Sequence, residues 1–241
     1  MPESASRPVS RPLSQPPLPT PQSPPSPWIK LCGWNRPEVL SEVVAAGVWP
    51  DAIGLNFYKP SPRYLSPDGA RDAIRRLPTA IEAVGLFVDT PPAEIASIAT
   101  ALGLRTLQLH GDYTVDDLTA LRPFQLIRVY RLAGNDLAPV AEDLRTCERA
   151  GVRPWRCLVE PKVDGAYGGM GEVGPWDVLR SWDASWPPLI LAGGLTHENI
   201  ADAIRTVRPW GVDTASGVEV RRGEKDPARA RVFIETARSA L

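Results

Sequence analysis

Lys30 and Cys32 stand two residues apart in Trp28-Ile29-Lys30-Leu31-Cys32-Gly33. A thiol takes protons or attacks carbon only as its thiolate, and a free cysteine ionises near pH 8.5. A neighbouring ammonium favours that ionisation, so this spacing matters if both side chains share a face. A small buried thiol with no chemistry accounts for Cys32 equally well when it is taken alone. Five further groups have suitable chemistry. Arg63, in Ser61-Pro62-Arg63-Tyr64, offers a planar fork that fits a carboxylate. His110, one of two histidines, closes Leu107-Gln108-Leu109-His110 and shares a face with Gln108. Glu160 ends Leu158-Val159-Glu160 and supplies a carboxyl group. Two glycine-containing clusters, Ala192-Gly193-Gly194-Leu195 and Asp213-Thr214-Ala215-Ser216-Gly217, offer backbone N–H groups of the kind that hold phosphate. Each group has an ordinary structural explanation in isolation: an exposed loop arginine, a hydrogen-bonded core histidine, a flexible loop.

Positioning these groups requires a particular scaffold. Short apolar runs at 28–32, 51–55, 83–88, 105–109, 126–130, 155–160, 188–191 and 211–215 read as strands. Amphipathic stretches near 37–47, 67–77, 92–102, 114–121, 138–150, 176–182, 197–207 and 227–240 read as helices. Eight strands alternating with eight helices imply a parallel sheet with right-handed crossovers. Such a compact chain is expected to close as an eight-stranded (β/α)8 TIM barrel of the α/β class. An open doubly wound sheet is the alternative, but no Gly-x-Gly-x-x-Gly follows the first strand. Alternation places Lys30 and Cys32 on one face of the first strand and Ile29 and Leu31 on the other. In a barrel, the groups singled out above all fall at or just after the C-terminal ends of strands, where such folds carry their chemistry. Phosphate is commonly held after strands seven and eight, where the two glycine clusters fall. A glycine-rich stretch, Gly165 to Gly171, follows strand six and is expected to close over a ligand.

Composition narrows the function classes. Net charge is −1 and the pI is about 6.2, so no general basic surface for nucleic acid is expected. No apolar run approaches the length of a membrane span. Cys32, Cys147 and Cys157 are widely spaced and odd in number, which fits neither a metal site nor a disulfide framework and fits a reducing cytoplasm. Residues 1–27 contain ten prolines and six serines and are expected to form a disordered tail ahead of one catalytic domain at 28–241. Arg7 and Arg11 give this tail a faint likeness to an organellar transit peptide, but its prolines forbid the amphipathic helix.

From Ile29 to the C-terminus the chain resembles the phosphoribosylanthranilate isomerase family of tryptophan biosynthesis. The resemblance rests on Lys30-Leu31-Cys32-Gly33, Asp51-Ala52-Ile53-Gly54, Ser61-Pro62-Arg63-Tyr64, Val84-Gly85-Leu86-Phe87-Val88, Gln108-Leu109-His110-Gly111, Tyr167-Gly168-Gly169, Leu191-Ala192-Gly193-Gly194-Leu195, Gly211-Val212-Asp213 and Ser216-Gly217-Val218-Glu219, in that order. It implies an Amadori rearrangement that uses no metal or organic cofactor, by a monomer or homodimer. By resemblance, Cys32 is the general base and Glu160 the general acid. Lys30, Arg63, His110 and Asp213 contact the substrate, with Arg63 on the anthranilate carboxylate. Gly193, Gly194, Ser216 and Gly217 hold the phosphate. The chain departs from the family at Val159-Glu160-Pro161-Lys162, where Leu-Asp-Thr-Lys is usual. The extra methylene moves the carboxyl by about 1.5 Å; either the backbone retreats to compensate, or Asp164, otherwise a loop-turn aspartate, is the candidate to replace Glu160 as acid. Between Gly169 and Asp177 the family's lysine and threonine are replaced and Glu172 enters. Asp89 stands where asparagine is common. A barrel that binds another phosphorylated sugar, or has lost catalysis, is the competing reading.

Overall fold

The computed structural model describes residues 26–36, 42, 44, 45, 47–162, 174 and 176–241. The proline-rich stretch up to residue 25, the glycine-rich loop at 163–173 with Asp164 and Glu172, and most of the helix expected near 37–47 lie outside the described residues. Residues 42, 44 and 45 are helical.

Eight parallel strands close into a barrel in chain order. They are β1 (Trp28–Cys32), β2 (Ala52–Asn56), β3 (Glu82–Val88), β4 (Thr106–His110), β5 (Gln125–Leu132), β6 (Arg156–Pro161), β7 (Leu189–Leu191) and β8 (Gly211–Thr214). β1 pairs with both β2 and β8, which closes the ring. The open-sheet alternative is thereby excluded. Between β2 and β8 the strands are joined through α1 (Pro67–Arg76), α2 (Pro92–Leu102), α3 (Val115–Ala120), α4 (Ala138–Arg149), α5 (Trp176–Leu179) and α6 (Ile200–Val207), and α7 (Pro227–Arg238) follows β8.

Local chemistry sets the helix limits. Ser66 caps α1 by accepting from Gly69 N, with a proline at the first helical position. Thr114 and Asp117 form a reciprocal capping box on α3. Gly103 takes the left-handed conformation that ends α2. Two helices are shorter than their periodicity predicts. α5 stops at Leu179, since Ser181 and Trp182 donate to Val178 and Leu179 in tighter turns. α6 begins at Ile200, although Ile200 N already donates to Thr196 O across one preceding turn. A hairpin follows β8, made of β9 (Glu219–Arg221) and β10 (Glu224–Lys225) after a 3-10 turn at Ser216–Val218. Sequence reasoning does not anticipate it, because its strands are too short to show a period.

Strand alternation divides the core in two. Ile29, Leu31, Ile53, Leu55, Leu107 and Leu109 pack outward under the helices in the larger cluster. Ala52, Val84, Ile127, Leu158 and Ile190 fill the barrel interior. Lys30, Cys32, Gln108, His110, Glu160 and Asp213 alternate with the outward set, so they belong to the interior face towards the C-terminal mouth.

Candidate active site

The site begins with the opening pair on β1. Lys30 is fully buried, and its ammonium donates to Asp213 Oδ1 at 2.8 Å. The two residues are register partners on β1 and β8, so the ion pair bridges the seam that closes the barrel. Burial lowers the Lys30 pKa, but Asp213 and Cys32 beside it outweigh burial and hold it above the ordinary lysine range. Cys32, the next inward residue, is 6% exposed. Its partner across the sheet is Gly54, and a Cβ there would lie 2.9 Å from the sulfur and 3.3 Å from Lys30 Cε. Only glycine leaves room for both side chains at that height.

Lys30 does not produce the expected low thiol pKa. Burial raises the Cys32 pKa, and Lys30, Lys225 and Arg63 recover only part of that rise. The sulfur is therefore a thiol at neutral pH with a cationic surround ready to receive its charge.

Glu160 closes the opposite side of the mouth at the end of β6, 6% exposed. Burial pushes its carboxyl up to about 7, Asp213 adds to the rise, and Arg131 and Lys30 oppose it. Its Oε1 is buried without a hydrogen-bond partner among the described residues and lies 3.9 Å from His110 Nδ1. A buried carboxyl group poised near neutrality is suited to holding and delivering a proton. Burial, Lys30 and Arg131 push the His110 imidazole down to about 3, so it is neutral at working pH. It contributes hydrogen-bonding capacity rather than charge.

Arg63 sits in the loop after β2, 4% exposed. Ser61 Oγ accepts from Arg63 N and from Asn56 Nδ2, which fixes this loop to the end of β2. The guanidinium fork is engaged within the chain: Nε and Nη2 donate to the two oxygens of Glu219 at 2.7 and 2.8 Å. Its aliphatic stem lies over Gly33, which has φ +74° and where a Cβ would stand 2.3 Å from Arg63 Cδ.

The phosphate-type loops lie together. Gly193 and Gly194 turn the chain after β7 with positive φ. Asn199 holds that turn, accepting from Thr196 N and donating to Gly194 O. Thr214 Oγ1 donates to Leu195 O at 2.8 Å and joins this loop to the one after β8. Ser216 and Gly217 lie there in the 3-10 turn, with Gly217 against the Leu195 carbonyl.

Sequence reasoning misses two contributors. Arg131 follows Ile127 and Val129 on the inward set of β5, in register with Glu160, and its alternation was a usable signal. Lys225 carries no signal of its own, because it reaches the site only through the unexpected hairpin. Asp89, at the end of β3, has φ +46° and accepts from Asp112 N, a role that an asparagine oxygen fills equally.

The profile of the family described as N-(5'phosphoribosyl)anthranilate (PRA) isomerase matches residues 29–236. The chain belongs to the phosphoribosylanthranilate isomerase family. The N-(5'-phosphoribosyl)anthranilate isomerase of Herminiimonas arsenicoxydans is 39% identical over 223 residues, covering 88% of this chain and 93% of that one. That of Dechloromonas aromatica is 41% identical over 214 residues, covering 88% and 96%. Among solved structures, phosphoribosyl anthranilate isomerase from Thermotoga maritima matches with a TM-score of 0.75 at 30% identity, covering 88% of this chain and 98% of that one. Another isomerase structure, at TM-score 0.71 and 28% identity, holds reduced 1-(o-carboxyphenylamino)-1-deoxyribulose 5-phosphate. Nothing in these comparisons favours a barrel devoted to another phosphosugar or one emptied of catalysis.

Proposed function

We propose that this chain converts N-(5-phosphoribosyl)anthranilate to 1-(2-carboxyphenylamino)-1-deoxyribulose 5-phosphate, with Glu160 as general acid and Cys32 as general base. Family membership supplies the reaction. The observation that supports the residue roles is the Glu160 carboxyl, buried at the mouth with one oxygen unbonded among the described residues and its pKa pushed up to about 7.

The chemistry divides into two proton transfers. Glu160 gives its proton to the furanose ring oxygen. The bond from that oxygen to C1 breaks, leaving a hydroxyl on C4 and an iminium at the anthranilate nitrogen. Cys32, once its thiol has released its proton to solvent within the cationic surround, removes the C2 proton as the thiolate, and the C2–H electrons neutralise the iminium to give an enolamine. Protonation at C1 and loss of the C2 hydroxyl proton complete the ketone. Protons balance overall, and exchange with solvent returns Glu160 and Cys32 to their starting states.

The surrounding groups match the substrate's charges. Gly193, Gly194, Ser216 and Gly217 would receive the phosphate, and Arg63 the anthranilate carboxylate through the part of its guanidinium that Glu219 does not engage. Lys30 and Asp213 would contact the sugar as a preassembled pair, with neutral His110 as a hydrogen-bonding neighbour of the acid.

The chain would work as a monomer or homodimer in the cytoplasm. Three free cysteines agree with a reducing compartment, and one solved Thermotoga maritima structure is described as monomers generated from a dimeric isomerase. Among the described residues no helix is long and apolar enough to cross a membrane. The test is turnover of phosphoribosylanthranilate by the purified chain, followed by loss of anthranilate-type fluorescence. Turnover is expected. A folded chain that binds a phosphate ligand without turning over this substrate would overturn the proposal.

A further inference from the structure

Acid, base and phosphate loops leave one buried charge without a role. Lys225, on the second strand of the hairpin after β8, is 4% exposed. Its ammonium donates to Glu219 Oε1 at 2.8 Å and to the Ala215 carbonyl at 2.8 Å. Glu219 also receives both donors of Arg63. One carboxylate therefore stands between two buried cations.

A neutral Arg63–Glu219 pair would be self-sufficient. The second cation leaves this cluster with an excess positive charge, and a buried charge is costly unless it is compensated. The neighbouring Lys30–Asp213 pair is neutral as a unit, and the Cys32 thiol is uncharged at neutral pH. An arriving anion supplies the compensation. The geometry points the same way. Glu219 orients the guanidinium proposed for the anthranilate carboxylate. Ala215 begins the loop whose Ser216 and Gly217 are proposed for the phosphate. The hairpin packs on the Arg63 loop, since a Cβ on Gly223 would stand 2.7 Å from Pro62 O. Asp226 N donates to Val218 O, and the Arg229 guanidinium donates to Glu219 O, so α7 anchors the same unit.

We propose that Lys225 is a positioning residue for both anionic ends of the substrate: it sets Arg63 through Glu219, holds the phosphate loop through Ala215, and provides the excess charge that an anion neutralises. The inference rests on the isomerase reading and deepens it.

Lys225 also leaves a signature in pH. Burial holds its ammonium at about 8, with Arg63 lowering it further and Glu219 and Cys32 opposing. The charge is present at neutral pH and lost a little above it.

The experiment is calorimetric titration of the chain with reduced 1-(o-carboxyphenylamino)-1-deoxyribulose 5-phosphate across neutral to alkaline pH. Wild type is expected to bind at neutral pH, with Kd rising above about pH 8. Lys225→Met is expected to bind about 10- to 100-fold more weakly at neutral pH, the range for losing a hydrogen bond to a charged group, without the rise near pH 8. In turnover its KM rises while kcat stays within a few-fold. A Lys225→Met variant that binds like wild type, or keeps the step near pH 8, overturns the inference alone. If that variant does not fold, the wild-type profile decides, and a Kd flat through pH 8 overturns the inference. Wild type that binds nothing at any pH overturns the isomerase reading and this inference together.

Discussion

The two mouths of the barrel are built from the same kind of position, the inward residues at strand ends, and they are filled in opposite ways. At the N-terminal mouth, Trp28 begins β1, Trp155 precedes β6 and Trp210 precedes β8. Trp28 stacks on Trp210 at 5.3 Å, and Trp155 meets Trp210 edge-on at 5.6 Å. The cation at this end, Arg156, lies 4.3 Å over Trp155 and 4.0 Å over Trp210 and donates to the Trp155 carbonyl. At the C-terminal mouth the cations meet carboxylates, and one carboxyl oxygen is buried without a hydrogen bond among the described residues. An indole face screens a guanidinium without proton chemistry, whereas an unsatisfied carboxyl trades stability for a movable proton. One mouth closes the fold, and the other holds groups whose charge states can change.

This contrast breaks if mutations at the two mouths have similar effects. The largest expected effect is at the base. Cys32→Ala should lower kcat by about 10³-fold or more, the upper range for general base catalysis, while phosphate-ligand binding survives. Measured turnover close to wild type would remove Cys32 from the mechanism.

Glu160→Gln comes next and should separate activity from stability. Turnover should fall by about 10²- to 10³-fold. The folded chain holds this proton up to about pH 7, whereas the unfolded chain releases it in the ordinary carboxylate range. Ionisation therefore destabilises the fold progressively as pH rises from about 4 to 7, by on the order of 3 kcal/mol once pH exceeds both values. The glutamine variant should melt higher than wild type at alkaline pH and alike near pH 4. A lower melting temperature throughout would show that the carboxyl supports the fold rather than strains it. Undiminished turnover would redirect the acid role to Asp164.

The smallest expected effect on activity is at the other mouth. Trp210→Ala should leave kcat/KM within a few-fold while costing about 2 kcal/mol of stability, less than a fully buried tryptophan because the side chain is partly exposed. Denaturant unfolding beside the fluorescence assay measures both, and a large loss of turnover in a folded variant would break the contrast.

Much of this was legible in the sequence because alternation is a local signal. It assigns Lys30, Cys32, His110 and Glu160 to the inward face before any contact is known, and it would have added Arg131. The Arg63–Glu219 pair joins residues 156 positions apart, and Lys225 arrives on a two-residue strand. Neither has a period to read. The direction of the Cys32 pKa was missed for a related reason. Adjacency to Lys30 is written in the sequence, but the depth at which the sulfur lies is a property of the closed barrel.

Gly33 gives the mouth a route to new specificities. Arg63 Cδ occupies the space that a side chain at 33 would need, and the glycine's φ of +74° is one that larger residues adopt only with strain. A single codon change at 33 would therefore displace the guanidinium from beneath while leaving the arginine itself unaltered. On the role proposed for Arg63, preference for a substrate carboxylate is thereby tunable at position 33, beyond the end of a different strand from the arginine.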